Sequence, residues 1–410
     1  MKSSSSLLRS TLTLLAGGAL AQALPLLLGP WLTRLYSPTE FGQFATVWTV
    51  AANLAVIGCA RYEFALPLER DEGQAARLMA LCLRLLGVVF AVSVAVAAVW
   101  VVWQDLSLAA LLPLAVLAGA SAQWLTLWAT RAQRFRLLAV SRVLQWGGGA
   151  LLQLLFGLAQ MGAFGLLLGP LLAGLATSVL LARPAPQGGW RALLRGGALG
   201  ELARRHRAFP LLNTPHAFAG ALQDSLAMIL LSSWSGDAAA GYWALSLRYL
   251  KAPAGLVGGA LSQTLYPRLV QAAPGAEALQ VVRQAMAVLS ALALPLVAVL
   301  MLWGPALFRL VFGESWHEAG ELARALAPYI ALHFIAAPLS VATMAWRAQA
   351  WALKLALAGQ LMFVAGLVMG LKTGGLIGAG WGVSLMMCIY FGFFFWSLAT
   401  WNFADDEKLA

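Results

Sequence analysis

Long apolar runs, separated by short polar segments, make up most of this chain. Each run extends over about 20 residues, the length with which a helix crosses about 30 Å of hydrocarbon. Residues 111–127, for example, contain no charged side chain and do not alternate polar with apolar positions as the strands of a membrane barrel would. The pattern predicts an all-α polytopic membrane protein. About twelve transmembrane helices are predicted, at residues 11–32, 43–67, 78–103, 108–130, 140–160, 163–182, 210–232, 241–267, 284–304, 326–346, 352–371 and 376–400.

Composition supports the bilayer as the solvent of most side chains. Of the 410 residues, 61% are hydrophobic and 10% are charged, whereas soluble domains carry about 25% charged residues. The Ala-Leu-Ala sequence at 19–21 resembles a signal-peptidase site. The apolar run continues to residue 32, however, and this length predicts an uncleaved first helix.

The distribution of basic residues predicts the orientation of the chain. The net charge is +11. Because basic residues collect in the cytoplasmic loops of membrane proteins, this excess does not require a nucleic-acid partner. With a cytoplasmic N-terminus, the predicted cytoplasmic segments hold 20 Lys and Arg residues and the opposite segments hold 4. We therefore predict that both termini are cytoplasmic, in agreement with an even number of helices.

A basic segment that is rich in Pro and Gly divides the predicted helices into two sets of six. We predict an N-terminal six-helix lobe at 1–182, a cytoplasmic linker at 183–209 and a C-terminal six-helix lobe at 210–410. The Gly-to-Pro distance is 25 residues in the second helix (67 − 42) and 26 in the eighth (267 − 241). This similarity indicates a parallel internal repeat, with chance likeness of apolar helices as the alternative. Residues 305–325 alternate apolar and charged positions, which predicts an amphipathic segment on the membrane surface.

The sequence contains no pattern that is typical of catalysis or of cofactor binding. It has no Walker-type phosphate loop, no dinucleotide fingerprint and no His/Cys/Glu cluster with metal-binding spacing. His333 stands alone on an apolar helix, where we interpret it as a packed core histidine. We therefore predict a transporter rather than an enzyme, with no cofactor and no metal.

Three stretches of the sequence resemble a known family. Residues 15–28, together with Leu-Thr-Arg-Leu-Tyr-Ser-Pro-Thr-Glu-Phe-Gly at 32–42, resemble the start of Wzx-type polysaccharide flippases. The Arg-Tyr-Glu-Phe-Ala-Leu-Pro sequence at 61–67 and the Phe-Gly, Trp and Ala-Gly positions of 312–320 also resemble this family. The chain is somewhat compact for the family, with very short outer loops.

The resemblance implies a fold and a function. The larger superfamily also holds multidrug antiporters and lipid II flippases, and its fold is two six-helix lobes around a central cavity. The implied substrate is an undecaprenyl-pyrophosphate-linked oligosaccharide, flipped from the cytoplasmic to the periplasmic leaflet of the bacterial inner membrane by alternating access. Implied partners are membrane lipids, a polysaccharide polymerase and glycosyltransferases. Two alternatives stay open, namely a multidrug antiporter of the same fold and a membrane-embedded polysaccharide polymerase or ligase.

Charges inside the seventh and eighth predicted helices are the first candidates for a substrate site. A charge at membrane depth costs about 2.5–3.5 kcal/mol on insertion scales, so each one needs a reason. Arg248 and Lys251 are three positions apart and share a helix face. Together they suit a diphosphate, because Arg offers a fork of donors and Lys a point charge. Asp224 is predicted at the depth of Arg248, so a structural ion pair is the alternative for these two residues, and a proton or cation site is a further one for Asp224.

Four other polar residues extend the predicted site. Arg61 is predicted in the inner third of the second helix, where it either meets the pyrophosphate at the cytoplasmic mouth or reaches the interface by snorkelling. Gln22, Asn213 and His216 lie in helices interrupted by Gly and Pro. They either line a hydrophilic path for sugar or form hydrogen bonds between helices.

Overall fold

In a computed structural model, the described chain is helical almost throughout. The structure describes residues 4–104, 106–183, 189–190, 199–273 and 275–403, and these ranges contain no β-strand. The predicted all-α class is confirmed. The chain forms two compact units, Met1–Met228 and Ile229–Ala410. The lobe and linker boundaries at 182 and 210 stay a prediction.

The first unit contains the N-terminal helices. They are α1 (Ser4–Leu35), α2 (Pro38–Val56), α3 (Glu72–Gln104), α4 (Leu112–Arg131), α5 (Phe135–Arg142), α6 (Gly149–Leu158), α7 (Gly162–Leu181) and the short α8 (Gly200–Arg205). A π-helical turn, Val143–Gly148, joins α5 to α6, so the predicted helix at 140–160 covers the end of α5, this turn and α6. The next helix, α9 (Thr214–Ser235), begins in the first unit and ends in the second.

The second unit contains the remaining helices. They are α10 (Asp237–Gln271), α11 (Ala276–Phe312), α12 (His317–Leu339), α13 (Val341–Ala345) and α14 (Gln349–Ala399). α14 is not one straight helix, because Gly374 and Gly375 have non-helical dihedral angles and Gly375 has a φ of 59°. Its two arms correspond to the last two predicted helices, 352–371 and 376–400.

Several helices have the length and composition that a membrane span needs. Counted over the described residues only, six segments qualify, namely Glu72–Trp103, Ser107–Arg131, Gly162–Leu181, Ala276–Phe312, Glu314–Ala345 and Gln349–Ala399. Large apolar side chains are exposed on these segments, among them Val102 at 86% and Trp103 at 84%. Such exposure is unfavourable in water and favourable in lipid. The protein is therefore a multi-pass membrane protein, while the total of twelve spans stays a prediction.

Two sequence predictions about helix limits are wrong. The second predicted helix, 43–67, ends early, because α2 stops at Val56 and Ala60 and Arg61 adopt left-handed dihedral angles. A 3₁₀ helix, Tyr62–Leu68, follows and lies outside the segments that are long enough to span. Residues 305–325, predicted as one amphipathic segment, are divided between two helices. They hold the end of α11, a turn at 313–316 and the start of α12.

The residues that resemble the flippase family form the corner between α1 and α2. Ser37 caps α2, since its hydroxyl accepts the backbone N–H of Glu40 at 3.3 Å, while the Glu40 carboxylate accepts the Ser37 N–H at 2.7 Å. Pro38 lies in the first turn of α2, where a backbone N–H has no hydrogen-bond acceptor within the helix. The buried Tyr36 hydroxyl donates to the carbonyl oxygen of Gln153 at 2.6 Å. The motif thus fixes a helix corner and ties it to α6.

The second such corner joins α11 to α12. Gly313 has a φ of 101°, a value that side-chain-bearing residues rarely adopt. Trp316 has an exposed fraction of 0% and packs edge-to-face against Tyr242 at 5.9 Å between ring centroids. A Cβ atom at Gly320 would lie 2.5 Å from the Cα of Pro305, so glycine allows α11 and α12 to touch. Trp316 and Gly320 thus contact protein on the inner side of this corner, and a position at the membrane surface stays a prediction.

The described end of the predicted linker packs on the first unit. Arg205 donates to the side-chain oxygen of Gln74 at 2.6 Å, and the His206 Nε2 lies 2.8 Å from the carboxylate of Glu69. The Tyr62 hydroxyl donates to the carbonyl oxygen of Ala203 at 3.2 Å. α8 is therefore a docked element rather than an extended tether, and residues 184–188 and 191–198 of the linker lie outside the described residues.

Candidate functional site

Hydrogen bonds between helices hold α10, α12 and α14 together in the second unit. The Ser246 hydroxyl of α10 donates to the carbonyl oxygen of Ala319 in α12 at 2.8 Å. The Ser384 hydroxyl of α14 donates to the carbonyl oxygen of Ala325 in α12 at 2.6 Å. All four residues are buried. In an apolar surrounding such bonds fix the rotation of each helix, because the alternative is an unsatisfied polar group.

Arg248 and Lys251 lie in the middle of α10. Both side chains are partly buried, and they occupy consecutive turns of one helix face. Pro253 follows two positions after Lys251 and has no N–H for the carbonyl of Tyr249. The two predicted cations therefore share one face of α10, and a backbone hydrogen bond of this helix is missing next to them.

His333 of α12 and Lys251 of α10 lie within the range of an electrostatic interaction. Its ring packs edge-to-face against Tyr329, at 5.9 Å between ring centroids, and against Phe391 of α14, at 6.4 Å. Its Nδ1 atom is buried and has no hydrogen-bond partner among the described residues. The prediction that His333 is a packed histidine agrees with the ring contacts, but the packing also brings it to the cation face of α10.

The combined group of Arg248, Lys251 and His333 is named the cation cluster below. It contains three nitrogen-bearing side chains and an aromatic wall of Tyr329 and Phe391. Nitrogen donors of this kind bind phosphate or carboxylate oxygens, and the apolar wall strengthens electrostatic attraction by lowering the local dielectric constant. The cluster thus places nitrogen donors beside an aromatic wall. Within the described residues, no group of three or more His, Cys, Asp or Glu side chains has the geometry to hold a metal ion.

Asp224 is an exposed residue of α9. The neighbouring Ser225 is buried and faces α2, where its hydroxyl donates to the carbonyl oxygen of Thr49 at 3.1 Å and accepts from the Asn53 amide at 3.3 Å. Because adjacent helical residues point about 100° apart, Asp224 is turned away from this contact. Among the described residues Asp224 forms no ion pair.

Arg61 belongs to the first unit and is not on a helix. It caps the 3₁₀ helix with a φ of 63°, and its guanidinium lies 4.9 Å from the ring centroid of Phe64. Glu63, two residues on, has an exposed fraction of 1% and accepts a hydrogen bond from the Gln123 amide at 2.9 Å. Burial raises the pKa of Glu63, while the charge of Arg61 acts in the opposite direction. The Arg61 to Glu63 segment is thus a packed turn. The prediction that Arg61 lies in a transmembrane helix is wrong.

The remaining predicted site residues belong to the first unit, whereas the cation cluster belongs to the second. Gln22 is an exposed residue of α1, and Asn213 is an exposed residue of the π-helical turn Phe209–Asn213. His216 lies in α9, and its side chain is outside the described part of the structure. The described Gln22 and Asn213 side chains form no hydrogen bond with each other.

The predicted site left out two polar residues, namely His333, which was interpreted as a core histidine, and Asn53. His333 was separated from Lys251 by 82 positions (333 − 251), so spacing gave no signal for their approach. Asn53 is 4% exposed in the last turn of α2, and its Oδ1 has no partner among the described residues. The available signal for both was the same one that found Lys251, namely a polar side chain inside an apolar run.

Comparison with solved structures defines the class of protein. The fold is similar to the lipid II flippase MurJ in its inward closed conformation, with a TM-score of 0.71 and 11% identity over 96% of this chain and 89% of that one. It is also similar to a MATE transporter in complex with MaL6, with a TM-score of 0.59 and 16% identity over 98% and 96% of the two chains. A MOP superfamily transporter from Pyrococcus furiosus has a TM-score of 0.54 and 15% identity, over 98% and 96%. The chain therefore has the fold of the MOP superfamily of membrane transporters.

A family model narrows the class further. The model described as polysaccharide biosynthesis protein matches residues 31–321. The chain belongs to this family, and the resemblance to polysaccharide flippases is confirmed. The matched range begins before the Tyr36 corner and ends just after the Gly313 corner, so it includes both structural motifs and the two cations of α10. A search of curated protein sequences finds no match for this chain.

Proposed function

We propose that this protein is a flippase that moves an undecaprenyl-pyrophosphate-linked oligosaccharide from the cytoplasmic to the periplasmic leaflet of the bacterial inner membrane. The observation that carries the proposal is the cation cluster, in which Arg248 and Lys251 share a face in the middle of α10 beside His333. Family membership supports a role in polysaccharide biosynthesis. The fold that is shared with a lipid II flippase supports a lipid-linked substrate.

The chemistry of the cluster suits the pyrophosphate group. A diphosphate carries several acceptor oxygens, which a guanidinium binds in a fork and an ammonium binds as a point charge. Each charge costs about 2.5–3.5 kcal/mol at the bilayer centre, and an anionic ligand offsets part of this cost. The head group would bind between Arg248 and Lys251 while the prenyl chain stays in lipid.

The proposed mechanism is alternating access, in which the head-group site opens to one side of the membrane at a time. Gln22, Asn213 and His216 would contribute hydrogen-bonding groups for sugar, Asp224 would bind a proton or a cation, and Arg61 would meet the anion on the cytoplasmic side. Both termini would be cytoplasmic. Glycosyltransferases would supply the lipid-linked oligosaccharide, and a polysaccharide polymerase would consume it after translocation. The surface polymer would be an O-antigen, another part of lipopolysaccharide or an exopolysaccharide.

The direct test replaces both cations in the host that carries this protein. Arg248→Ala together with Lys251→Ala is expected to abolish surface polysaccharide, because the pyrophosphate loses both charge partners, while the amount of protein in the membrane fraction stays normal. The matched control is Arg268→Ala with Lys354→Ala, which removes two exposed cations from the same unit. The control is expected to produce normal polymer. Normal polymer in the Arg248 and Lys251 variant would contradict the proposal.

A second candidate function is multidrug export, because MATE transporters share the fold. Recognition of cationic drugs needs acidic groups, and Asp224 is the acid that the sequence offers in the seventh predicted helix. Deletion of the protein would then raise the sensitivity of the host to cationic drugs and leave the surface polymer intact. The flippase proposal predicts the reverse, with loss of polymer and unchanged drug sensitivity.

A further inference from the structure

The corner between α4 and α5 contains an open cavity of about 600 Å³ that the proposed function does not use. Its lining consists of Gln133, Arg134, Phe135, Arg136, Leu137 and Val140. Cavities that hold small ligands measure about 300–1,000 Å³, so this one has the size for part of a lipid. All of its lining residues belong to the first unit.

The backbone of the corner holds the cavity in shape. Gln133 has a φ of 52°, its N–H donates to the carbonyl oxygen of Thr130 at 2.9 Å, and the N–H of Arg134 donates to that of Ala129 at 3.1 Å. This is the Schellman arrangement that ends a helix. α5 then begins at Phe135. Arg134 occupies the N-cap position of α5, and its side chain forms no capping hydrogen bond. The corner is thus a defined turn that presents Arg134 and Arg136 on either side of Phe135.

The position of the corner relates it to the membrane boundary. The candidate span Ser107–Arg131 ends immediately before it. The positive-inside pattern places this end on the predicted cytoplasmic side. Leu137 is partly buried and Val140 is exposed, so an apolar surface continues from the corner along α5. A ligand in the cavity would therefore have its polar part at the interface and its apolar part along α5.

The charged residues that line the cavity favour one kind of lipid head group. Arg134 and Arg136 are exposed, and within the described residues neither side chain forms an ion pair or a hydrogen bond. No acidic residue lines the cavity, and the nearby Glu72 is paired with Arg131 at 2.8 Å. Two guanidinium groups bind phosphate oxygens well and disfavour the cationic choline of a zwitterionic lipid.

We propose that the α4–α5 corner is a binding site for an anionic glycerophospholipid of the inner leaflet, with the phosphate between Arg134 and Arg136 and an acyl chain along Phe135, Leu137 and Val140. The juxtaposition of two cations with an apolar groove at the end of a span carries the inference. The residues of the cation cluster belong to the other unit. It would anchor the corner in the leaflet whether or not the protein carries substrate.

The test uses the purified full chain in detergent and native mass spectrometry with added phosphatidylglycerol or phosphatidylcholine. Arg134→Gln with Arg136→Gln is expected to weaken phosphatidylglycerol binding by about 30-fold. Each basic residue near an anionic surface contributes about 1 kcal/mol, and the loss of two such contributions corresponds to this factor. Phosphatidylcholine binding is expected to stay low and unchanged. The matched control, Arg70→Gln with Arg77→Gln, removes two exposed arginines from the same unit and is expected to bind like the native protein.

A second measurement works on the native chain and does not depend on the folding of a variant. A phosphatidylglycerol with a photoreactive acyl chain is expected to label residues 133–140. Equal phosphatidylglycerol binding in the native chain and the Arg134 and Arg136 variant would overturn the proposal, as would an equal loss in the control or labelling elsewhere. Displacement of phosphatidylglycerol by a polyprenyl diphosphate at equimolar concentration would also overturn it, because the corner would then be a substrate site.

Discussion

Four glycines bring the two arms of α14 into backbone contact, and their replacement gives the sharpest test of the fold. Gly366 and Gly370 on the first arm face Gly382 and Gly378 on the second, and we name this contact the glycine seam. A Cβ atom at Gly366 would lie 2.5 Å from the carbonyl oxygen of Gly382. A Cβ atom at Gly370 would lie 2.6 Å from the Cα of Ala379 and still closer to the carbonyl oxygen of Gly378. Small residues of this kind are what allow close helix packing in membranes.

The Gly370→Ala variant should separate the arms. Overpacking of a tight contact costs about 1–3 kcal/mol, and here the atoms that the new methyl group meets are backbone atoms that cannot rotate away. Alanine is a better helix former than glycine by about 1 kcal/mol, which offsets part of this cost. We expect a net loss of up to about 2 kcal/mol in the free energy of unfolding. Gly392 lies on the same helix with no atom within 4 Å of its added Cβ, so Gly392→Ala should gain up to about 1 kcal/mol.

The assay is reversible unfolding of the purified protein in mixed detergent, with the two variants and the native chain measured side by side. The expected order of stability is Gly392→Ala, then the native chain, then Gly370→Ala. A Gly370→Ala variant as stable as Gly392→Ala would refute the backbone contact and, with it, the hairpin arrangement of α14.

Three further predictions concern the first unit and the second corner. Tyr36→Phe removes the hydrogen bond to the Gln153 carbonyl and is expected to lower the unfolding free energy by about 1 kcal/mol, measured by detergent unfolding. Gly313→Ala forces a side chain to a φ of 101° and should reduce the unfolding free energy by about 1–3 kcal/mol. Glu63 has a pKa raised by burial, so the native state disfavours its ionised form, and stability is expected to fall as pH rises from the unfolded pKa through the native one. Glu63→Gln keeps an acceptor for Gln123 and should abolish this pH dependence, as thermal unfolding across pH would show.

A specific result would contradict each of these three predictions. An unchanged stability of Tyr36→Phe would mean that the short bond to α6 contributes nothing net. A Gly313→Ala variant of native stability would mean that the corner can adopt a negative φ. For Glu63→Gln, a pH profile parallel to that of the native chain would assign the pH dependence to other groups.

The helix content could be predicted because hydrocarbon length and apolar runs are directly visible in the sequence. The predicted helix at 163–182 agrees with α7 within one residue at each end, since polar or turn residues bound it on both sides. The predicted end of the helix at 43–67 is wrong because the apolar run continues past Val56, where α2 ends, into the 3₁₀ segment. The reversal there depends on positive φ angles at Ala60 and Arg61, and neither residue type is a typical turn signal.

The candidate site could be predicted only in part, for a related reason. A charge in an apolar run is a local signal, and it identified Arg248 and Lys251 without any knowledge of their neighbours. Which polar groups meet in space depends on how helices rotate against each other. The approach of His333 to Lys251 follows from the packing of α12 on α10, which the bond between Ser246 and Ala319 fixes. No spacing rule connects residues on two helices that are so far apart in the chain.

The motifs that resemble the family and the residues proposed to bind substrate have different physical roles. Tyr36 and Gly313 form helix corners, and their contacts are buried hydrogen bonds, ring packing and a left-handed backbone. These contacts stabilise the two corners of this chain. Arg248 and Lys251 are partly buried charged residues in the middle of α10, where an ionised group is costly in an apolar surrounding. In the proposed function these two charges bind the pyrophosphate, whereas the corner residues act through the fold, so variants of the corners are expected to change stability and variants of the cations to change transport.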